Sequence, residues 1–182
     1  MVGRIFLAVG SQMPFDRLVA AVYQWLAQWP QGECAWQVDA QVGHTELTLA
    51  EVDGWRSQAF LLEHDFRVQC QRADIVVGHV GMGLVLTALE YARPLLLLPR
   101  LAQRRETRND HQLGTARWLA QHSGITIAKD ELDLVRILNH LAYQHHQNGG
   151  VGGGAVNFIK TENQPDLVAY LRGVLDAYFR PI

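Results

Sequence analysis

The stretch ADIVVGHVGMGLVLTALEYARPLLLLPR, residues 73–100, predicts a strand, a glycine turn, a helix and a second strand in succession. Residues 75–77 are all apolar, which is typical of a parallel strand buried on both faces. Two glycines in residues 79–83 allow a sharp turn and the close approach of a ligand to the main chain. Pro94 ends the helix, and residues 95–98 form the second strand. We expect a right-handed βαβ unit whose turn offers free N–H groups to a phosphate, although purely structural turns share this pattern.

The composition is that of an ordinary globular domain. The chain has 182 residues, 48% of them hydrophobic, and a net charge of −2, which argues against a nucleic-acid partner. Its cysteines, Cys34 and Cys70, are isolated, which argues against a zinc site and a disulfide scaffold. No apolar run approaches the roughly 20 residues of a membrane span, and the first one ends too early for a signal peptide. We therefore expect a cytoplasmic protein.

Five elements are predicted before this stretch. Residues 4–9 form a first buried strand, and residues 15–29 form a helix with an apolar stripe. Two further strands are expected at residues 34–42 and 58–62. A short helix capped by Asp65 then leads into the βαβ unit.

The second half of the chain alternates in the same way. Residues 101–110 form an arginine-rich loop, and Asp110 can cap the helix that follows. A sixth strand at residues 125–128 precedes a helix capped by Asp130. The predicted organisation is one domain over residues 1–182, with the sheet core in residues 1–147, a glycine-rich linker or turn at 148–154 and a C-terminal helix at 164–180.

Six strands alternating with helices predict a doubly wound, mostly parallel, Rossmann-like α/β sheet in the order 3-2-1-4-5-6. Ligands bind such sheets at the carboxyl edge, where the strand order reverses. That point lies between strands 1 and 4, so the turns at residues 10–14 and 79–83 should converge on one crevice.

Four motifs point to a known family when they are taken together. They are VGSQMPFDRLV at residues 9–19, ADIVVGHVGMG at 73–83, ALEYARPLLLLPR at 88–100 and ETRNDHQLGTA at 106–116. With these motifs, residues 9–128 resemble the C-terminal, nucleotide-sugar-binding domain of family 28 glycosyltransferases. The chain looks most like the small catalytic chain of two-chain enzymes, the bacterial exopolysaccharide transferases and the eukaryotic dolichol-linked N-acetylglucosaminyltransferase.

The resemblance implies a single nucleotide-sugar-binding domain, one half of a GT-B fold. It implies transfer of a hexose-type sugar from a UDP-sugar to a lipid-linked acceptor in polysaccharide or glycolipid synthesis. A membrane-associated glycosyltransferase subunit would bind the acceptor and recruit this chain to the inner face of the membrane. No metal and no cofactor besides the UDP-sugar donor is implied, because dipoles and side chains would stabilise the leaving diphosphate. The sequence accordingly has no DxD motif.

The same resemblance implies substrate-binding residues on both turns, after the fifth strand and at the start of a helix. They are Ser11, Gln12, His79, Gly81, Met82, Gly83, Arg100, Asp110, His111 and Gln112. His79 is the candidate catalytic residue, and no general base is implied. The ribose-binding glutamate of the peptidoglycan member falls at Thr87, with Glu90 one turn further on.

Several of these residues also have structural explanations. Ser11 could cap the first helix, and Asp110 could cap a later one. His79 could be a strand-end histidine bonded to the backbone. The arginines of residues 100–108 could form a solvated loop with Glu106 paired to one of them, or they could bind a diphosphate.

Other functions fit the same fold. A non-catalytic subunit could bind a nucleotide sugar and stabilise a membrane transferase. A UDP-sugar epimerase would use this fold but normally needs two Rossmann domains. A nicotinamide oxidoreductase is disfavoured because the first turn lacks GxGxxG. The polar residues at the carboxyl edge favour the transferase.

Overall fold

The computed structural model describes residues 2–30 and 35–147 of the chain. Their strands are β1 (Val2–Ala8), β2 (Ala35–Gln41), β3 (Trp55–Gln58), β4 (Ile75–His79), β5 (Leu95–Leu98) and β6 (Ile125–Ile127). The α-helices are α1 (Asp16–Gln28), α2 (Glu63–Arg72), α3 (Met82–Glu90), α4 (His111–Leu119) and α5 (Glu131–Gln147), and a short 3-10 helix covers Ala102–Arg104.

The six strands form one sheet in the order β3-β2-β1-β4-β5-β6, and every neighbouring pair is parallel. This confirms the predicted doubly wound topology. Ala8 pairs with Gly78, so β1 and β4 end side by side at the carboxyl edge, where the strand order reverses. The turns that follow these two strands are therefore neighbours, as the sequence predicts.

Apolar residues on alternate sides of the strands bury the two faces of the sheet. In β5, Leu96 and Leu98 belong to the core beneath α1 and α5, whereas Leu95 and Leu97 belong to the core beneath the other three helices. A strand covered on both faces needs an apolar side chain at every position. This explains the unbroken leucine run.

Two predicted boundaries are wrong. The third strand is Trp55–Gln58 rather than residues 58–62, because the N–H of Leu61 donates to the Gln41 side chain (3.0 Å) and not to a neighbouring strand. The next helix begins at Glu63, with the N–H of Phe66 bonded to the carbonyl of Leu62 (2.9 Å). Asp65 therefore lies in the first turn of α2 and does not cap it.

The predicted cap of α5 is confirmed. The carboxylate of Asp130 accepts a hydrogen bond from the N–H of Asp133 (2.8 Å), and its carbonyl accepts one from Leu134 (2.9 Å). The predictions for residues 148–154 and 164–180, and for Cys34, lie outside the described residues. Within residues 2–30 and 35–147, no helix is both long and apolar enough to cross a membrane.

Candidate functional site

A cleft of about 820 Å³ opens at the carboxyl edge of the sheet. Its floor is formed by the turns after β1 and β4, and its walls come from α2, α3, the loop after β5 and α4. The side chains and backbone of Gly10, Ser11, Gln12, His79, Gly81, Met82, Gly83, Arg100, His111 and Gln112 line it. The structure thus brings nine of the ten sequence-predicted residues, together with Gly10, to one cavity. The tenth, Asp110, does not line it.

The His79 ring lies between the two glycine turns. A Cβ added to Gly10 would come within 2.9 Å of Nε2 of His79, and one added to Gly81 would overlap the same nitrogen. Gly81 has an ordinary φ of −110°, so the requirement for glycine there is steric rather than conformational. The two glycines therefore make room for a histidine whose Nε2 faces both turns.

The positive end of α3 opens into this cleft. The helix starts at Met82, no side chain caps it, and its first turn contains no acidic residue. The first N–H groups of a helix have no intrahelical partners and carry its positive dipole, so they attract anions. Gly83 is exposed, and a Cβ added there would have no atom within 4 Å. The space above the helix start is thus free for a ligand.

Desolvation of the half-buried His79 side chain keeps its ring neutral at pH 7. Burial lowers the pKa of His79 to about 4, and the nearby positive charge of Arg100 lowers it further. The backbone of Ala8 acts in the opposite direction and raises the pKa, and Nδ1 is buried with no hydrogen-bond partner among the described residues. A neutral imidazole carries a single N–H. In the tautomer that carries this proton on Nε2, the ring presents a donor to the cleft.

Ser11 and Gln12 are exposed on the first turn. The structural explanation for Ser11 is wrong, because α1 begins after Phe15 and has no side-chain cap. Both side chains therefore remain available to a ligand in the cleft.

The Arg100 side chain connects two backbone segments at the cleft by hydrogen bonds. Its side chain is 4% exposed, and Nη1 donates to the carbonyls of Pro14 (2.9 Å) and Glu106 (2.8 Å). The guanidinium also stacks 4.7 Å from the ring centre of Phe15. The observed bonds of Arg100 join the first turn to the loop after β5, and ligand binding by Arg100 stays a prediction.

Glu106 pairs with an arginine outside its own loop. Its carboxylate accepts from Nε (2.6 Å) and Nη2 (3.1 Å) of Arg17 on α1, and from the N–H of Leu101 (2.9 Å). The expectation that Glu106 pairs with an arginine of residues 100–108 is thus wrong for its side chain. The sequence does not predict the pairing of Arg17 with Glu106, because the local sequence around Arg17 is that of an ordinary exposed helical arginine.

Arg108 is the arginine of this loop that is positioned to meet a ligand. It is exposed on the cleft, and it has no hydrogen bond or ion pair within the part of the chain that the structure describes. Arg104, by contrast, donates to Glu131 (2.9 Å). The loop therefore combines a structural arginine at its start with an available one near its end.

The three residues of segment 110–112 make different contacts. Asp110 precedes α4 but does not cap it, because its carboxylate accepts from the N–H of Ala102 (3.0 Å). Gln112 is buried, and its Oε1 accepts from the N–H of Arg100 (3.1 Å), which leaves the amide nitrogen for other bonds. His111 is exposed, and its ring contacts the Asn109 side chain. Only His111 and Gln112 of this segment line the cleft.

The position of the implied ribose-binding glutamate has no carboxylate in this chain. Thr87 is buried and donates its hydroxyl to the carbonyl of Gly83 (2.8 Å). Glu90 pairs with Arg67 (2.7 Å) and does not line the cleft. Sequence reasoning missed the inward face of α2, which supplies Glu63, Phe66 and Arg67 to the cleft. Within residues 2–30 and 35–147 there is no cluster of three or more side chains that could hold a metal ion.

Comparison with known proteins identifies the architecture. No family model matches the sequence, and no curated protein matches it. Among solved structures, the chain is similar to the glycotransferase of kitacinnamycin (TM-score 0.61, 15% identity, covering 94% of this chain and 39% of that one). It is also similar to the spinosyn forosaminyltransferase SpnP (0.53, 14%, 79% and 36%) and to the calicheamicin glycosyltransferase CalG4 (0.52, 14%, 95% and 44%).

These similarities establish the fold. The chain spans less than half the length of each of these transferases, between 36% and 44%. The prediction of a Rossmann-like α/β domain that corresponds to one half of a GT-B glycosyltransferase is confirmed at the level of architecture.

Proposed function

We propose that this chain is the donor-binding part of a glycosyltransferase and that its cleft binds a nucleoside diphosphate sugar. The observation that supports this best is the convergence of two glycine turns on an uncapped helix start, with the neutral His79 ring between them. Free N–H groups at a helix start suit a diphosphate, and the open space above Gly83 lets it approach the backbone.

The chemistry follows from where charge develops. An acceptor hydroxyl attacks the anomeric carbon, the bond from that carbon to the diphosphate oxygen breaks, and the diphosphate leaves with the electron pair. The α3 dipole, Nε2–H of His79 and Arg108 stabilise that growing negative charge. Because His79 faces the diphosphate, its role is that of a donor rather than a base. The base that takes the acceptor proton comes from outside the described residues.

The proposed substrates follow from the sequence resemblance. They are a UDP-sugar that carries a hexose-type sugar and a lipid-linked acceptor held by a membrane-associated subunit. The reaction proceeds without a metal ion, because the helix start and side-chain donors, rather than a bound cation, stabilise the charge of the diphosphate. Unpaired polar residues at the cleft, such as Ser11 and Arg108, support an enzyme over a purely stabilising subunit.

The direct test is calorimetry of the full chain with UDP in the presence of a chelator. We expect saturable one-to-one binding under these conditions, with the same affinity when Mg²⁺ replaces the chelator. Binding that appears only with Mg²⁺ would contradict the metal-free reaction. A complete lack of binding would contradict the proposed function.

A further inference from the structure

The three helices on one face of the sheet set the direction of the cleft. Helix α2 contacts β1 and α3, whereas α4 contacts β6 at the far side of the sheet. Helix α3 therefore lies between them, and all three supply residues to the cleft. A ligand with its diphosphate at the start of α3 extends toward α2 at one end and toward α4 at the other.

The two ends of the cleft differ in chemistry. On α2, Phe66 packs edge-on against Phe6 with ring centres 5.0 Å apart and gives that end an aromatic surface. Near α4, the lining consists of hydroxyl, amide, imidazole and guanidinium groups, namely Thr107, Arg108, Asn109, His111 and Thr115. A nucleobase has a flat aromatic face that can stack on an aromatic side chain, whereas a hexose carries several hydroxyls around its ring that need hydrogen-bonding groups. The nucleoside therefore matches the α2 end and the transferred sugar matches the α4 end.

One carboxylate at the α2 end has no bonding partner among the described residues. Glu63 is exposed, lines the cleft, and has no hydrogen bond or ion pair to any other described residue. Arg67, one turn further along α2, is held by Glu90 (2.7 Å) and stacks on Tyr91, so it does not neutralise Glu63. Glu106, the other glutamate of the cleft, already accepts three hydrogen bonds from Arg17 and Leu101.

An ionised carboxylate has only acceptor sites, and two of them can bind the adjacent hydroxyls of a ribose. We propose that Glu63 binds the ribose hydroxyls and makes this site selective for a ribonucleotide over a 2′-deoxyribonucleotide. This proposal rests on the proposed function and specifies its nucleotide. In this chain, the carboxylate of Glu63 on α2 binds the ribose, because Thr87 on α3 has no carboxylate.

The test compares two nucleotides on three forms of the full chain. Calorimetry measures the dissociation constants of UDP and 2′-deoxy-UDP for the unchanged chain, for Glu63→Gln and for Asp65→Asn. Asp65 is exposed in the same helical turn but does not line the cleft, so it controls for the loss of one negative charge. Removing either charge favours both anionic nucleotides alike, so the ratio of the two constants isolates the hydroxyl contact.

We expect the unchanged chain and Asp65→Asn to prefer UDP by about tenfold, because a hydrogen bond to a charged group is lost with the 2′-hydroxyl. Glu63→Gln should reduce this preference to about threefold or less, because the neutral amide is a weaker acceptor. Equal binding of the two nucleotides by the unchanged chain would overturn the role of Glu63 while leaving the proposed function standing. A preference that survives in Glu63→Gln would also overturn it. If neither nucleotide binds, both the proposed function and this inference fail.

Discussion

Gly83 is a residue whose side-chain space is empty in the structure. A methyl group at this position meets no protein atom within 4 Å, and the first turn of α3 tolerates alanine. Gly83→Ala should therefore leave the stability of the fold unchanged or raise it by up to about 1 kcal/mol. The same methyl group would occupy the space that we assign to the diphosphate. We expect UDP affinity to fall by about tenfold or more, which corresponds to at least about 1.4 kcal/mol.

Gly114 provides a matched control for this substitution. It is also exposed, lies on a helix, and has open space at its Cβ position, but it does not line the cleft. Gly114→Ala should be at least as stable as the unchanged chain and should bind UDP normally. Calorimetry and urea unfolding of both variants check this pair. Equal UDP affinity in the two variants would show that the diphosphate does not lie over α3.

His79 gives the stability of the chain a specific pH dependence. Its pKa is about 4 in the folded chain and near the ordinary 6.5 in the unfolded chain, so above pH 6.5 the ring is neutral in both states. Between pH 6.5 and pH 4 the unfolded chain binds a proton that the folded chain does not, so stability decreases as the pH falls. The loss levels off below pH 4, at about 3 kcal/mol by the relation between pKa shift and free energy.

Urea unfolding from pH 7.5 to pH 4 measures this effect, with His79→Gln as the variant that lacks the titrating group. We expect a shallower loss of stability in His79→Gln than in the unchanged chain over this range. His64→Gln, which changes an exposed histidine, should follow the unchanged chain. Parallel curves for all three proteins would mean that His79 titrates normally in the folded state.

At the scale of elements, a buried ion pair fixes the loop that forms one wall of the cleft. The carboxylate of Glu106 holds Arg17 of α1 and the backbone of Leu101, while Arg17 also reaches Glu131 of α5 (3.3 Å). Glu106→Gln removes most of the charge that compensates Arg17, and breaking a buried pair typically costs about 3–5 kcal/mol. Since Glu131 remains close, we expect the free energy of unfolding to fall by about 3 kcal/mol.

The control for this element is an exposed pair. Arg136 pairs with Asp133 (2.7 Å) on the surface of α5, and its side chain is 73% exposed. Arg136→Gln should cost less than about 1 kcal/mol, because exposed ion pairs contribute little. Urea unfolding compares the two variants at pH 7. A loss below 1 kcal/mol for Glu106→Gln would show that the pair contributes no more than a surface contact.

The elements also show what sequence patterns can and cannot predict. Apolar runs and glycine turns carry local information, so the strand order and the convergence of the two turns were predictable. The third strand was misplaced because Trp55–Gln58 has no apolar run and pairs only at the edge of the sheet. The partners of Arg17 and Arg100 were not predictable, since long side chains choose among distant acceptors that only the folded chain brings together.

At the scale of the whole molecule, the cleft is one-sided. Ser11, Gln12, Gly83 and Arg108 are all exposed at its rim, so within the described residues nothing covers a bound donor. The chain also spans less than half the length of the transferases whose fold it shares. Under the proposed function, such a cleft would hold the donor but leave the position of the acceptor undetermined and the reacting carbon exposed to water.

We therefore expect the chain by itself to bind UDP but to transfer no sugar. Alignment of two reactants can supply on the order of 7–11 kcal/mol of the barrier, and a donor site alone cannot provide it. A partner subunit that closes over the carboxyl edge would supply that alignment and exclude water. The measurement is sugar transfer to a lipid-linked acceptor by the purified chain, with and without the membrane-associated subunit that we propose. UDP calorimetry on the same preparation shows that the donor site is intact.

Gly83→Ala mixed with the partner serves as the control for transfer that depends on this cleft, and it should be nearly inactive. Turnover by the isolated chain at about 1–1000 per second, the usual range for enzymes, would place an acceptor site within these 182 residues and contradict the two-chain arrangement.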